Sequence, residues 1–367
     1  MIKSFVFATL LVIATSIAAE EPFTIFEGKE GLVPKQPQAC VDSSGMVHVA
    51  FGVADQVYYC RIDRQICSVP EIAFRVPNMA LGMRRGPRIA HSGRAVVVTA
   101  IGGDQGKGLD GDVLAYRSLD DGKTWLGPVN VNDVEASARE GLHAMAASSD
   151  GAIWCVWLDL RDKGTKLFAS KSTDHGATWT KNVLVYRSPE GSVCECCHPS
   201  ILADNKSVHV LFRNSLGGNR DMYLVSSQDG GVTFGGGTRL GRNHWTLNAC
   251  PMDGGMLTLN QNGEISTVWR RDRSILIAEA NGKSESYLGI GEQPWVAGQG
   301  NEFYTVWTSN REGDLLLARS RNSVSEKIST NASFPIVVAS LLPERVAYVI
   351  WEKRIDRMIT IMGKELR

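Results

Sequence analysis

Short apolar segments rich in β-branched and aromatic residues run the length of this chain, broken by Gly, Pro, Asn and Asp. None carries the three-to-four spacing of an amphipathic helix. Seven of them share one form, at residues 47–51, 95–98, 153–157, 208–212, 265–269, 303–307 and 347–351, most of them ending in Trp or Phe. Each follows a segment opened by proline or its equivalent: Gln36-Pro37, Gly86-Pro87, His143-Ala144, His198-Pro199, Cys250-Pro251, Gln293-Pro294 and Phe334-Pro335. The pattern predicts seven small sheets, with the apolar run as a half-buried second strand in each. If one opening belongs to a non-repeating strand pair, six remain. Two strands are left over, at residues 22–26 and 359–361, and pairing them would close a ring and remove an exposed sheet edge.

A second repeat fixes the architecture. The pattern Ser-x-Asp-x-Gly-x-Thr-aromatic occurs at Ser118 to Trp125, Ser172 to Trp179 and Ser227 to Phe234, with starts 54 and 55 residues apart. Asp and Ser side chains cap the backbone of a tight turn, Gly supplies a positive φ, and the aromatic is expected to pack the turn onto its own sheet. A period of this size indicates a radial or stacked array of small sheets. Three such phrases in register resemble the Asp-box, or BNR repeat, of the sialidase superfamily. The resemblance implies an all-β fold, a β-propeller for which seven blades are favoured and the six of sialidases are the alternative. In that family the boxes lie away from the catalytic face, so all three are read as structural.

Composition narrows the context. The 367 residues hold 39 Lys plus Arg against 39 Asp plus Glu, a balance that excludes a globally basic nucleic-acid binder and leaves any acidic ligand to local charges. Residues 1–19 read as a secretory signal: Lys3, then the apolar run 5–13, then Ser16-Ile17-Ala18-Ala19. The remainder, 20–367, is expected to be one propeller domain, secreted or periplasmic, monomeric, and without membrane insertion once the signal is removed. In an oxidising compartment the eight cysteines default to disulfides, with Cys60 and Cys67 placed for a hairpin bridge. Cys40 and Cys155 fall on strands and read as buried small hydrophobes.

Propeller topology sorts residues to faces. Loops leading into the openings and loops after the second strands meet at one mouth, opposite the box turns. The mouth collects Arg88, His143, Cys194, Glu195, Cys196, Cys197, His198, Cys250 and Met252 from openings, and Asp104, Asp110, Asp112, Asp159, Arg161, Arg213, Asn214, Arg270, Arg271 and Arg311 from strand ends. Guanidinium groups arriving from separate sheets suit a carboxylate or another planar anion. The sialidase resemblance implies roles for them: Arg88, Arg213 and Arg270 or Arg271, with Arg161 and Asn214 nearby, would hold the substrate carboxylate. Asp104, Asp110 or Asp112 would be the acid, and Glu195 would activate the nucleophile. The family's nucleophilic tyrosine has no counterpart here, because Ser333-Phe334-Pro335 stands where it is expected. The implied activity is exo-acting hydrolysis of sialic-acid or other acidic glycans, with no cofactor.

One phrase lies outside that resemblance. Cys194-Glu195-Cys196-Cys197-His198 brings three thiols and an imidazole to the mouth in one loop, with Cys250 and Met252 at the following opening and His143 at the preceding one. These are soft ligands suited to copper(I), or to zinc if the thioether is excluded. A non-hydrolytic propeller that binds a metal or a partner is therefore the alternative reading, and disulfide bridging from Cys194 or Cys196 to Cys250 competes with it.

Overall fold

The structure is a computed structural model, and it describes residues 21–259, 263–279, 284–299, 302–321, 323–340 and 347–366. The proposed signal, residues 1–19, lies outside them. It is an all-β propeller built from antiparallel sheets, in which strands adjacent in sequence pair in space. Five sheets have four or five strands each. They begin with Pro34–Val41, Arg88–Ser92, His143–Ala147, Ser200–Asp204 and Met256–Leu259. The sixth has seven strands and turns about the long strand Glu326–Ala339, whose residues 326–332 pair with Gly313–Ala318 and whose residues 332–339 pair with Ala347–Ile355. That sheet is two four-stranded halves sharing one strand, a pairing compatible with seven blades. Among the described residues no helix is long and apolar enough to cross a membrane.

The leftover strands pair as the sequence predicts. Phe23–Glu27 lies antiparallel to Met358–Leu366, with Phe26 opposite Ile361 and Glu27 opposite Thr360. The start of the described chain thereby covers the edge of the last sheet.

The second strands are buried more completely than the alternation implies. In Val47–Val53, Ala95–Gly102 and Ile153–Asp159 every residue is buried. Each sheet lies between two neighbours, so both faces of its central strands meet apolar side chains. Ala50, Val57 and Tyr59 of the first sheet, for example, share a cluster with Ile89, Val96 and Val98 of the second. A strand covered on both sides needs no polar face, which is why these segments read as nearly continuous apolar runs.

The three box turns repeat one hydrogen-bond set. In the first, Ser118 Oγ donates to Asp120 Oδ1 at 2.8 Å and accepts from Gly122 N at 2.8 Å, while Thr124 donates through N and Oγ1 to the same carboxylate at 2.9 and 2.6 Å. The second and third reproduce it with Ser172, Asp174 and Thr178, then Ser227, Asp229 and Thr233. In the first box the aromatic works differently from the expectation. Trp125 meets Tyr59 and Phe74, both at 5.4 Å between ring centroids, and both belong to the preceding sheet. The box glycines lie against the preceding sheet as well, where a Cβ on Gly122 would overlap the Tyr59 ring and one on Gly231 the Trp154 ring. The turn thus staples one sheet to its predecessor, because two flat neighbours leave room there for a backbone and no side chain.

Candidate functional site

Backbone geometry at the openings builds the mouth. Gln36, Gln293 and Phe334 each precede a proline, each has a positive φ of 56°, 58° and 49°, and each sits at a break in strand register. A bulge of this kind frees the residue's N–H from the ladder, and a buried N–H needs an acceptor. Side chains of the sheet before it supply that acceptor. Asp253 Oδ2 takes Gln293 N at 2.8 Å, Gln293 Oε1 takes Phe334 N at 2.6 Å, and Glu352 Oε1 takes Gln36 N at 2.7 Å. The last of these joins the final sheet to the first, so a polar chain reinforces the ring closure made by strand pairing.

The arginines clasp the remaining openings. Arg88 donates to the carbonyls of Arg84, Gly86, Pro87 and His143. Arg213 donates to the carbonyls of Arg220, Asp253 and Arg270 and lies over the Trp245 ring. Arg270 donates to Pro251 O at 3.0 Å and pairs with Glu292 at 3.1 Å and Asp253 at 3.4 Å. Sequence reading groups these three as a carboxylate clamp, and the structure does bring them to one region. Their donors, however, engage backbone and neighbouring acids. Arg161 is enclosed by Asp159, Asp133 and Asn182 over the face of Phe168, and Arg271 forms a two-pronged pair with Glu285. Asn214 binds Tyr186 and its own loop.

The central cation is one that sequence reading missed. Gly82 and Arg85 exchange backbone hydrogen bonds across a two-residue turn in which Met83 and Arg84 both have positive φ, 52° and 64°. The turn places Arg84, 2% exposed, across the mouth, where it donates to Gln293 O and Pro335 O at 3.1 Å each, against Trp295 at 4.8 Å and Phe334 at 5.7 Å. Two non-glycine residues in a left-handed turn mark a backbone held by its surroundings. The signal in the sequence was Gly82-Met83-Arg84-Arg85-Gly86, a turn-length stretch between glycines just before an opening.

Burial shapes the protonation of the groups around Arg84. His198 is stacked on Trp295 and accepts from Gly254 N, and burial followed by Arg84, Arg88 and Arg213 holds it well below the usual histidine range, so the ring is neutral. His143, under Thr99 and Arg88, is neutral for the same reasons. Glu352 is pushed up to about 7 by burial, against the pull of its Gln36 hydrogen bond and of Lys35 and Arg84. A carboxyl raised on folding contributes stability that is full below its unfolded value and is lost as pH rises through 7. Wild type is therefore expected to lose up to about 3 kcal/mol of stability as pH rises from about 5 through 7, its melting temperature falling with it. Glu352→Gln should remove that slope, and equal slopes in the two proteins' pH-dependent thermal melts would refute the assignment.

Beside the Arg84 turn lies a cavity of about 520 Å³, walled by Met83, Arg85, Asp110, Arg139, Glu140 and Met252 among others. Glu140, a residue sequence reading passed over although it lies three positions before His143, is half-buried there. Its carboxyl is held above the usual range, first by burial and then by the charge of Glu195, with Arg85 and Arg139 opposing. Arg85 Nε also donates to Glu140 O at 2.7 Å. Glu195 is exposed and accepts from Thr165 Oγ1 at 3.2 Å. The aspartates expected as acids do other work. Asp110 accepts from Gln105 N and Gly106 N, which hold it below the usual carboxylate range, and Asp112 accepts from Asn132 and Ala136 N. Asp104 lends its carbonyl to Asn78. Among the described residues no tyrosine lines this cavity.

The cysteine phrase divides. The sulfurs of Cys194, Cys196 and Cys197 lie 3.5 to 4.0 Å apart. His198 is turned to Trp295 and Gly254, Cys250 is exposed, and His143 sits at Thr99, so the expected seven-residue ligand set contracts to three thiols grouped as possible ligands. All eight cysteines are free. Cys60 and Cys67 interact through their thiols without a bond between them.

The BNR repeat-like domain matches residues 88–313 of this chain. Three solved structures share the fold at low identity. An α-L-arabinanase of Penicillium chrysogenum complexed with arabinobiose is 14% identical with a TM-score of 0.56, covering 94% of this chain and 98% of its own. A polysaccharide lyase, an ulvan lyase bound to a glucuronate–sulfated rhamnose unit, is 12% identical with a TM-score of 0.58 over 93% and 95%. A leech intramolecular trans-sialidase is 10% identical with a TM-score of 0.54 over 95% and 70%. No curated protein sequence matches the chain.

Proposed function

The chain belongs to the BNR repeat-like domain family, and from that premise we propose that it cleaves an acidic glycan in the cavity beside the Arg84 turn. The observation that carries this reading is the Glu140 carboxyl, raised by burial and by Glu195 at the wall of a cavity that also presents Arg85 and Arg139. Two carboxyl groups in unequal environments divide into acid and base: Glu140 as the proton donor to the leaving oxygen, Glu195 as the base. Arg139, exposed at the rim, and Arg85 beside it would receive the substrate's carboxylate or sulfate. Without a tyrosine on the cavity wall, a carboxyl pair is the chemistry these residues offer. Sialic acid, the substrate that the superfamily resemblance implies, is one member of this class, and uronate glycans are another. Relatives of this fold named for hydrolysis, lyase action and intramolecular transfer make a glycan substrate the natural class to test.

The test is incubation with fluorogenic sialosides and with uronate-containing polysaccharides, products being weighed by mass spectrometry to separate hydrolysis from elimination. Arg139→Ala is expected to raise KM about tenfold with kcat nearly unchanged, the signature of lost ground-state binding. No cleavage and no binding of any acidic glycan would overturn the proposal.

A further inference from the structure

Cys194, Cys196 and Cys197 form a group distinct from the carboxyl pair. Their three sulfurs stand 3.5, 3.7 and 4.0 Å from one another. Tetrahedral zinc with Zn–S bonds of 2.3 Å sets its sulfurs about 3.8 Å apart, so the spacing already matches thiolates around a single ion. The loop is also anchored at both ends of the group. Cys194 N donates to Arg213 O at 3.0 Å, fixing the phrase to the strand end of the next sheet, and Met252 N donates to the Cys196 sulfur from the opening after that. An N–H directed at a sulfur is an outer-shell contact of the kind that orients a metal ligand. Cys194 and Cys197 are buried at 2% exposure, whereas Cys196 is partly exposed on the side of Met252, which lines the cavity.

We propose that Cys194, Cys196 and Cys197 bind one thiophilic d10 cation, Zn²⁺ or Cu⁺, at the mouth of the propeller. Thiolate donors select this class over hard cations. Three thiolates complete a trigonal Cu⁺ site, while Zn²⁺ takes a fourth ligand from the open side by Cys196. Binding exchanges thiol protons for the cation, so affinity rises with pH. Glu195 stands between two of these ligands, so a bound cation would lie next to the proposed base.

The experiment uses the full chain, reduced and stripped of metal. Co²⁺ as a probe for the zinc arm is titrated while the thiolate-to-cobalt charge-transfer band is recorded, and Cu⁺ is titrated in competition with a chromogenic Cu⁺ chelator. One equivalent of at least one cation should bind, with affinity lowered at least a hundredfold in Cys196→Ser and Cys197→Ser and unchanged in Cys250→Ser. Because buried substitutions can disturb folding, alkylation of wild type gives a second readout: the bound cation should protect Cys196, the accessible thiol of the three, and leave Cys250 reactive. Failure of both cations to bind stoichiometrically, equal binding in Cys196→Ser, or alkylation of Cys196 at the same rate with and without cation would overturn the proposal.

Discussion

Glu140→Gln is expected to lower kcat on the cleaved glycan by about 10²- to 10⁴-fold, the span a positioned general acid contributes, while KM changes little. Glutamine keeps the shape of the side chain and cannot release a proton. The pH profile carries the more specific sign. Glu140 is held above the usual carboxyl range by burial and by Glu195, so it serves as an acid while protonated, and the rate should fall as pH rises through its raised value. That descending limb should vanish in Glu140→Gln, leaving a low, flatter profile. Glu195→Gln should lower the rate and also shift the limb to lower pH, because removing the Glu195 charge eases ionisation of Glu140. A limb that survives in Glu140→Gln would assign the acid elsewhere, and unchanged kinetics in both variants would remove the carboxyl pair from the mechanism.

Arg84→Ala is expected to destabilise the protein by about 3 to 5 kcal/mol, the cost of removing one partner from a buried charged network. The loss has three parts. The carbonyls of Gln293 and Pro335 lose their donor, the faces of Trp295 and Phe334 lose the guanidinium between them, and Asp253 and Glu352 lose a counter-charge. At about 1.3 °C per kcal/mol for a chain of 367 residues, from an unfolding entropy of about 2.1 cal/mol/K per residue, the melting temperature should drop by roughly 4 to 7 °C. Arg84→Met, which restores apolar volume between the two rings, should recover part of that drop, since the packing is retained and only the polar partners are lost. Thermal and urea denaturation decide it. A melting temperature for Arg84→Ala within 2 °C of wild type would show that the turn rests on the mouth without holding it.

Both expectations turn on residues absent from the sequence-derived candidate set, and the reasons differ. Glu140 lies in a loop that topology assigns to the mouth, and the same rule that selected His143 would have reached it. Its raised carboxyl could not be read, because the burial and the Glu195 charge come from other parts of the fold. Arg84 was obscured by Arg88, which fits the arginine pattern implied by the sialidase resemblance more closely. The structure gives Arg88 the role of a clasp, with donors to four carbonyls, and gives the crossing of the mouth to Arg84.

What this sequence determines alone is whatever its neighbours along the chain can satisfy. The Ser, Asp and Thr of each box bind backbone two to four positions away, so the turns, their spacing and the propeller follow from the string of residues, and so do the apolar second strands. Closure by residues 22–26 against 359–361 was also legible, since an unpaired strand at each end of a ring has one economical partner. The tertiary structure alone decides the fate of the charges and sulfurs at the mouth. Bulged openings expose carbonyls and N–H groups whose partners come from other sheets, and those groups, unseen in sequence, claim Arg88, Arg213 and Arg270 before any ligand can. The same geometry selects three thiols from seven candidate ligands, because Trp295 and Gly254 hold His198 away from the sulfurs that precede it.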